Sequence, residues 1–157
     1  MRLLAGLSIS AVLAASAVLA AGLLAAPPAL AAEAVPFAAD SGDSCLRGST
    51  EGTIQRYDGP VIAPRIDIEG ALLDEAKPSV CNPDDMHSTA TFNGYYGDEL
   101  VDTETYEADD ETVKFAFSLS DPAKLRTIDR VVVQVCRFSN TPFGISYCGK
   151  AQEYKIP

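Results

Sequence analysis

Four cysteines, one histidine and a run of carboxylates are the residues of this chain that could do chemistry. Cys45, Cys81, Cys136 and Cys148 show no C-x-x-C spacing, and His87 is the only imidazole. A tetrahedral zinc site therefore lacks its ligand pattern. The cysteines allow three pairings. Cys136 and Cys148 flank Ser139 to Ile145, a segment holding Asn140, Pro142 and Gly144. A hairpin centred near Pro142 sets these two cysteines opposite each other and predicts a cross-strand bridge. Cys45 is left for Cys81, tying the start of the domain to the loop before the third strand. By loop closure, loops of about 12 and 36 residues contribute roughly 3 and roughly 4 kcal/mol. Against a domain stability of about 5 to 15 kcal/mol, that is a large share.

Catalysis finds little support. His87 stands beside Asp84, Asp85 and Ser88, but sequence neighbours cannot converge as a Ser-His-Asp triad does, and His87 is expected in a solvated loop. No serine sits in a G-x-S-x-G elbow. A carboxylate pair could hydrolyse a glycosidic bond, yet among 22 acidic residues some pair will fall at the right distance by chance. The chain is expected not to be an enzyme, and a small carboxylate-based hydrolase is the last alternative.

Two segments point to binding. Asp98, Glu99, Asp102, Glu104, Glu107, Asp109, Asp110 and Glu111 crowd one stretch. Such a stretch suits either a charge-guarded edge strand and turn or a Ca²⁺ site, for which Asp109, Asp110 and Glu111 are the candidate ligands. The EF-hand pattern does not match. The second segment lies between Cys136 and Cys148. A loop closed by a disulfide is ordered before it binds, which lowers the cost of association. Asn140, Thr141, Pro142 and Phe143 are the expected partner-binding residues, held extended as in small exported inhibitors, with Phe143 offered to an apolar pocket. An ordinary hairpin tip would account for the same residues.

The elements that must position these groups read as strands. Arg65 to Leu73 alternates Ile66, Ile68 and Leu72 against Arg65, Asp67 and Glu69. Val113, Phe115, Phe117 and Leu119 alternate likewise, as do Val131, Val133 and Val135 within Ile128 to Phe138. Gly52 to Tyr57, Thr89 to Tyr96 (with a bend at Gly94) and Tyr147 to Ile156 complete the set. Asp58-Gly59-Pro60 and Tyr96-Gly97-Asp98 are turn signals. Pro122 to Arg126 predicts one helical turn capped by Asp121. The expected fold is an all-β antiparallel sandwich, or small barrel, of about seven strands stapled by two disulfides.

Met1-Arg2, the apolar run Leu3 to Ala26 and the tripeptide Ala29-Leu30-Ala31 have the three parts of a secretory signal peptide. This predicts cleavage near Ala31, a flexible leader over 32–44 and a secreted, extracellular domain over 45–157, in an environment that oxidises thiols. A retained membrane anchor is the alternative, against which Pro27-Pro28 stands. Of the 12 basic residues Arg2 leaves with the signal, so 11 face 22 acidic ones. Nucleic acid and anionic membrane surfaces are poor partners for such a chain. An Ala- and Leu-rich leader on an acidic two-disulfide β-domain resembles small secreted bacterial proteins as a class. The Cys-Pro-Met stretch of the subtilisin-inhibitor family is missing, since Cys81 precedes Asn82 and Cys136 precedes Arg137. The expectation is a binding or inhibitor-like protein with an unknown protein partner, or else a calcium-binding extracellular structural protein.

Overall fold

Side chains of a strand alternate between two faces, so a sequence with one apolar residue in every two can cover one side of a core. The longer of nine strands do this in the computed structural model, which describes residues 33–43, 48–57, 64–75, 85–123 and 125–157. The nine are β1 (Val35–Asp40), β2 (Gly48–Tyr57), β3 (Arg65–Asp74), β4 (Met86–Tyr96), β5 (Glu99–Ala108), β6 (Thr112–Ser120), β7 (Arg130–Ser139), β8 (Tyr147–Cys148) and β9 (Gln152–Lys155). The signal segment 1–31, the Cys45–Cys81 bridge and the Asp58-Gly59-Pro60 turn lie outside the described residues.

Two antiparallel sheets form the sandwich. The first runs β1-β2-β3-β6; the second runs β5-β4-β7-β8, with β9 also paired to β7. Ile54, Ile66, Ile68, Leu72 and Leu119 of the first sheet meet Phe92, Val131, Val133 and Val135 of the second, all nearly or fully removed from water. Rings fill the middle, with Phe92 edge-on to Phe115 at 5.2 Å and to Phe117 at 5.1 Å between centroids. Burying a side chain of this size stabilises the fold by about 1.5–3 kcal/mol. Pairs in such geometry add about 0.5–1.5 kcal/mol.

The all-β sandwich expectation holds, with four local differences. Val35–Asp40, expected within a flexible leader, is a strand: Phe37 and Ala39 point into the core, and Phe37 packs 5.6 Å from Phe92. Its six residues are too short for alternation to stand out in an Ala-rich context. Secondly, nine strands replace about seven, partly because the expected strand Tyr147 to Ile156 is broken. Gln134 and Val135 oppose Gly149, Lys150 and Ala151, a two-against-three mismatch that forms a bulge. The extra residue turns Tyr154 to the inner face beside Phe37, at 6.2 Å. The third difference is the helical turn expected over 122–126, where the described residues show a turn at Pro122 and Ala123 and no helix. Finally, His87 belongs to β4 and not to a loop.

Asp121 caps this turn as expected, and more fully. Its Oδ1 accepts the Ala123 N–H at 2.8 Å, and Oδ2 accepts those of Leu125 and Arg126 at 3.0 and 2.9 Å. The Ala123 bond above all, aided by Leu125, Arg126 and the Arg126 charge, holds the carboxyl below its ordinary pKa despite burial acting the other way. A carboxylate with a lowered folded pKa adds stability above its unfolded value, and that stability is lost as pH falls toward the folded value. Asp121→Asn should therefore lower the melting temperature at pH 7. Thermal melts followed by circular dichroism should show the gap to wild type closing as the pH drops below about 4.

Candidate functional site

Strand direction gathers the ends of β1, β3, β5 and β7 at one end of the sandwich, and the residues with chemistry collect there. The inward phase of β7 runs Val131, Val133, Val135 and then Arg137; that of β3 runs Ile66, Ile68, Leu72 and then Asp74. Each strand therefore ends its buried face on a charge, and the two charges meet. Arg137 Nε–H donates to Asp74 Oδ1 at 3.2 Å, and its Nη1 lies 3.7 Å from Asp43 Oδ2. Side-chain exposure is 4% for Arg137, 0% for Asp74 and 6% for Asp43. Ser88 donates to Asp74 Oδ1 in a short hydrogen bond, and the Asp110 N–H donates to Oδ2 at 3.1 Å. Ser41 donates to Asp43 at 2.6 Å. Gly48 lies over the arginine stem, where a Cβ would come within 3.0 Å of Arg137 Cγ. A side chain at this position would press on the ion pair.

Next to Arg137, Cys136 faces the other way. It stands opposite Cys148 in the β7–β8 register, and the two are bridged, with the hairpin centred on Pro142 as expected. Beyond the bridge, Ser139 to Tyr147 forms a loop with several ties. Asn140 N–H donates to the Asp85 carbonyl at 2.8 Å, and His87 Nδ1–H to Asn140 Oδ1 at 2.6 Å. His87 also stacks near Phe138, 5.8 Å between centroids. Thr141 N–H donates to Ser139 Oγ at 3.1 Å. Gly144 N–H donates to the Thr141 carbonyl at 3.2 Å, closing a β-turn with Pro142 and Phe143 at its centre. Proline suits the second position of such a turn because its φ is preset. The expected extended presentation of Asn140, Thr141, Pro142 and Phe143 is therefore replaced by a turn. Phe143 at its tip is 98% exposed and Ile145 69%.

The acidic residues divide. Asp109 and Asp110, in the turn between β5 and β6, bring their carboxylates within 4.8 Å of each other and of Asp74. The Glu111 carboxylate is not in that group; Glu111 reaches Asp74 through its backbone carbonyl, which accepts the Asp74 N–H at 2.9 Å. Asp110 takes a left-handed φ of 56°, which aspartate tolerates better than most residues. The oxygens of Asp74 are already accepting from Ser88, Arg137 and the Asp110 backbone, so a cation there would compete with a guanidinium that is itself buried.

The inward phase of β7 and β3 could have disclosed Arg137 and Asp74, since opposite charges end both apolar alternations. His87 and Ser88 point to opposite faces of β4, with Ser88 spent on Asp74, so they cannot act as base and nucleophile together. A separate apolar cleft of about 420 Å³ lies toward the other end, between 33–36 and 155–157. Comparison with protein families, with characterised proteins and with solved structures gives no match for this chain.

Removing one member of a buried ion pair strands the other in a medium that solvates it poorly. Arg137→Met should cost about 3–5 kcal/mol in urea unfolding. Millimolar Ca²⁺ should leave the wild-type melting temperature unchanged, because Asp74 is already engaged. A rise of several degrees, lost in Asp109→Asn, would instead assign the acidic turn to calcium.

Proposed function

We propose that this chain is an exported, non-enzymatic binding protein whose contact with a protein partner is the loop from Asn140 to Tyr147. The observation that carries the reading is Phe143, 98% exposed at the tip of a loop fastened at both ends. A single exposed apolar residue is commonplace. An aromatic ring on a turn already ordered by a disulfide and by bonds to Asp85 and His87 is a better anchor, because little freedom remains to be lost on docking. Moving a phenylalanine side chain from water into an apolar pocket contributes about 1.5–3 kcal/mol. Ile145 stands close in sequence to widen the contact. Export is supported by the signal-like segment 1–31 and fits a chain that keeps a disulfide.

The turn also refines the mode of binding. Segments that pair by strand addition must be extended, whereas the Thr141–Gly144 bond folds the chain back under Phe143. A plug inserted into a pocket fits this geometry better than a substrate-like strand laid along a protease cleft.

Placing the photoreactive residue p-benzoylphenylalanine at position 143 tests the reading. On irradiation in medium from the source cells, it should form a discrete protein adduct that excess wild-type protein suppresses. Phe143→Ala should suppress it at least about tenfold less well, as for a central anchor. The reading is overturned if the alanine variant competes equally, or if the same adducts arise from a label at Thr91 on the outer face of β4.

A further inference from the structure

A sheet edge exposes backbone groups that another strand can complete, and proteins dispose of such edges in visible ways. Two edges here are occupied by the chain's own side chains. On β1, the Tyr154 hydroxyl accepts the Ala38 N–H at 3.0 Å and donates to the Ala38 carbonyl at 2.7 Å. On β6, the Asp102 carboxylate accepts the Ser120 N–H at 2.9 Å.

The long edge strand of the second sheet, β5, is treated differently. Its only backbone group bonded to a described side chain is the Thr103 N–H, which donates to Asp102 Oδ1 at 2.9 Å. That bond places the Thr103 amide on the side away from β4. Amide and carbonyl directions alternate along an antiparallel strand, so those of Thr105 and Glu107 face the same open side. Thr103, Glu104, Thr105 and Glu107 are all exposed. No Lys or Arg among the described residues pairs with Glu104 or Glu107; the nearest basic atom to Glu107 is His87 Nε2 at 4.0 Å. Burial, and secondarily the charge of Glu104, hold the Tyr106 phenol above its ordinary pKa.

Charge decides what could fill this edge. A second copy would bring the same carboxylate-rich edge alongside, and like charges close together across a strand pair are destabilising. The formal charge of the chain, −10, adds to that repulsion. We propose that the open edge of β5 accepts an extended Lys- or Arg-rich segment of a partner protein as an added strand. Main-chain bonds at Thr105 and Glu107 fix the register, and Glu104 and Glu107 select for positive charge. This surface does not include Phe143.

The probe is an acetylated and amidated oligolysine of about eight residues, a length that suits a strand and places lysines on both of its faces. It is titrated into the full chain, with backbone amide shifts followed by NMR. The expected result is saturable one-to-one binding with the largest shifts from Thr103 to Glu107. Raising the salt from about 50 to about 300 mM should weaken it severalfold. Methylating alternate peptide nitrogens, which keeps the charge and removes the main-chain donors, should weaken it at least about tenfold. Thr105→Pro should do the same, and Phe143→Ala should change nothing. Equal binding of the methylated peptide, shifts centred elsewhere, or no binding at about 5 mM peptide would overturn the proposal. If Thr105→Pro fails to melt cooperatively, the methylated peptide alone decides.

Discussion

A guanidinium that cannot reach water is the constraint on which the rest of this sandwich depends. Arg137 is at the end of the inner face of β7, and removal of its charge from solvent is made tolerable by Asp74 and Asp43, which come to meet it. Asp74 is on the opposite sheet and Asp43 follows β1, so one side chain holds three segments that are far apart in sequence. Around the pair the fit is narrow: Ser88 satisfies Asp74, Ser41 satisfies Asp43, and Gly48 leaves room for the arginine stem. Apolar contacts elsewhere supply most of the cohesion, but they do not discriminate between neighbouring registers in the same way. A one-residue slip of β7 would turn Arg137 outward and Cys136 inward, losing the ion pair and the disulfide at once.

The adjacency of Cys136 and Arg137 is therefore more than a coincidence of sequence. On a strand, neighbours point to opposite faces; here one ties the inner face to the other sheet and the next ties the outer face to β8. The loop that follows starts from a strand fixed on both sides. Asn140 continues the restraint through Asp85 and His87, and Gly144 closes the turn under Phe143. An exposed aromatic ring is placed with much of its backbone freedom already removed.

Much of this was legible in the residues. Alternation in Arg65–Asp74, Thr112–Ser120 and Arg130–Ser139 carries the strands, and the near-symmetric placement of Cys136 and Cys148 about Pro142 carries the bridge. Asp121 followed by Pro122 signalled a cap, though not the three amides it collects. What escaped notice depended on distant pairing. β1 is too short and alanine-rich to show a period, and it becomes a strand because Phe37 finds Phe92 and Phe115 in the core. The bulge before β9 follows from how β7 is matched against it, which no local pattern encodes. The position of Phe143 near the tip of the Cys136–Cys148 hairpin was legible, but the turn beneath it is set by a weak Gly144–Thr141 bond that proline and glycine only permit.

The two exposed surfaces obey opposite physics, and the charge of the chain explains how both persist. Ser139 to Tyr147 contains no ionisable side chain except the tyrosine, so a partner meeting Phe143 and Ile145 would desolvate apolar surface with little dependence on salt. β5 turns Tyr106 inward against Phe115 and Phe117 and leaves carboxylates along the rim. Carboxylates so placed oppose the pairing of two copies of the edge, one of the devices by which sheets guard their edges. The same repulsion does not apply to a basic strand. Apart from the Thr103 N–H, which Asp102 occupies, the outward amides and carbonyls of β5 bond no described side chain. On the two proposals, recognition at this edge would rest on the sign of the partner's charge, and at the loop on shape and apolar fit.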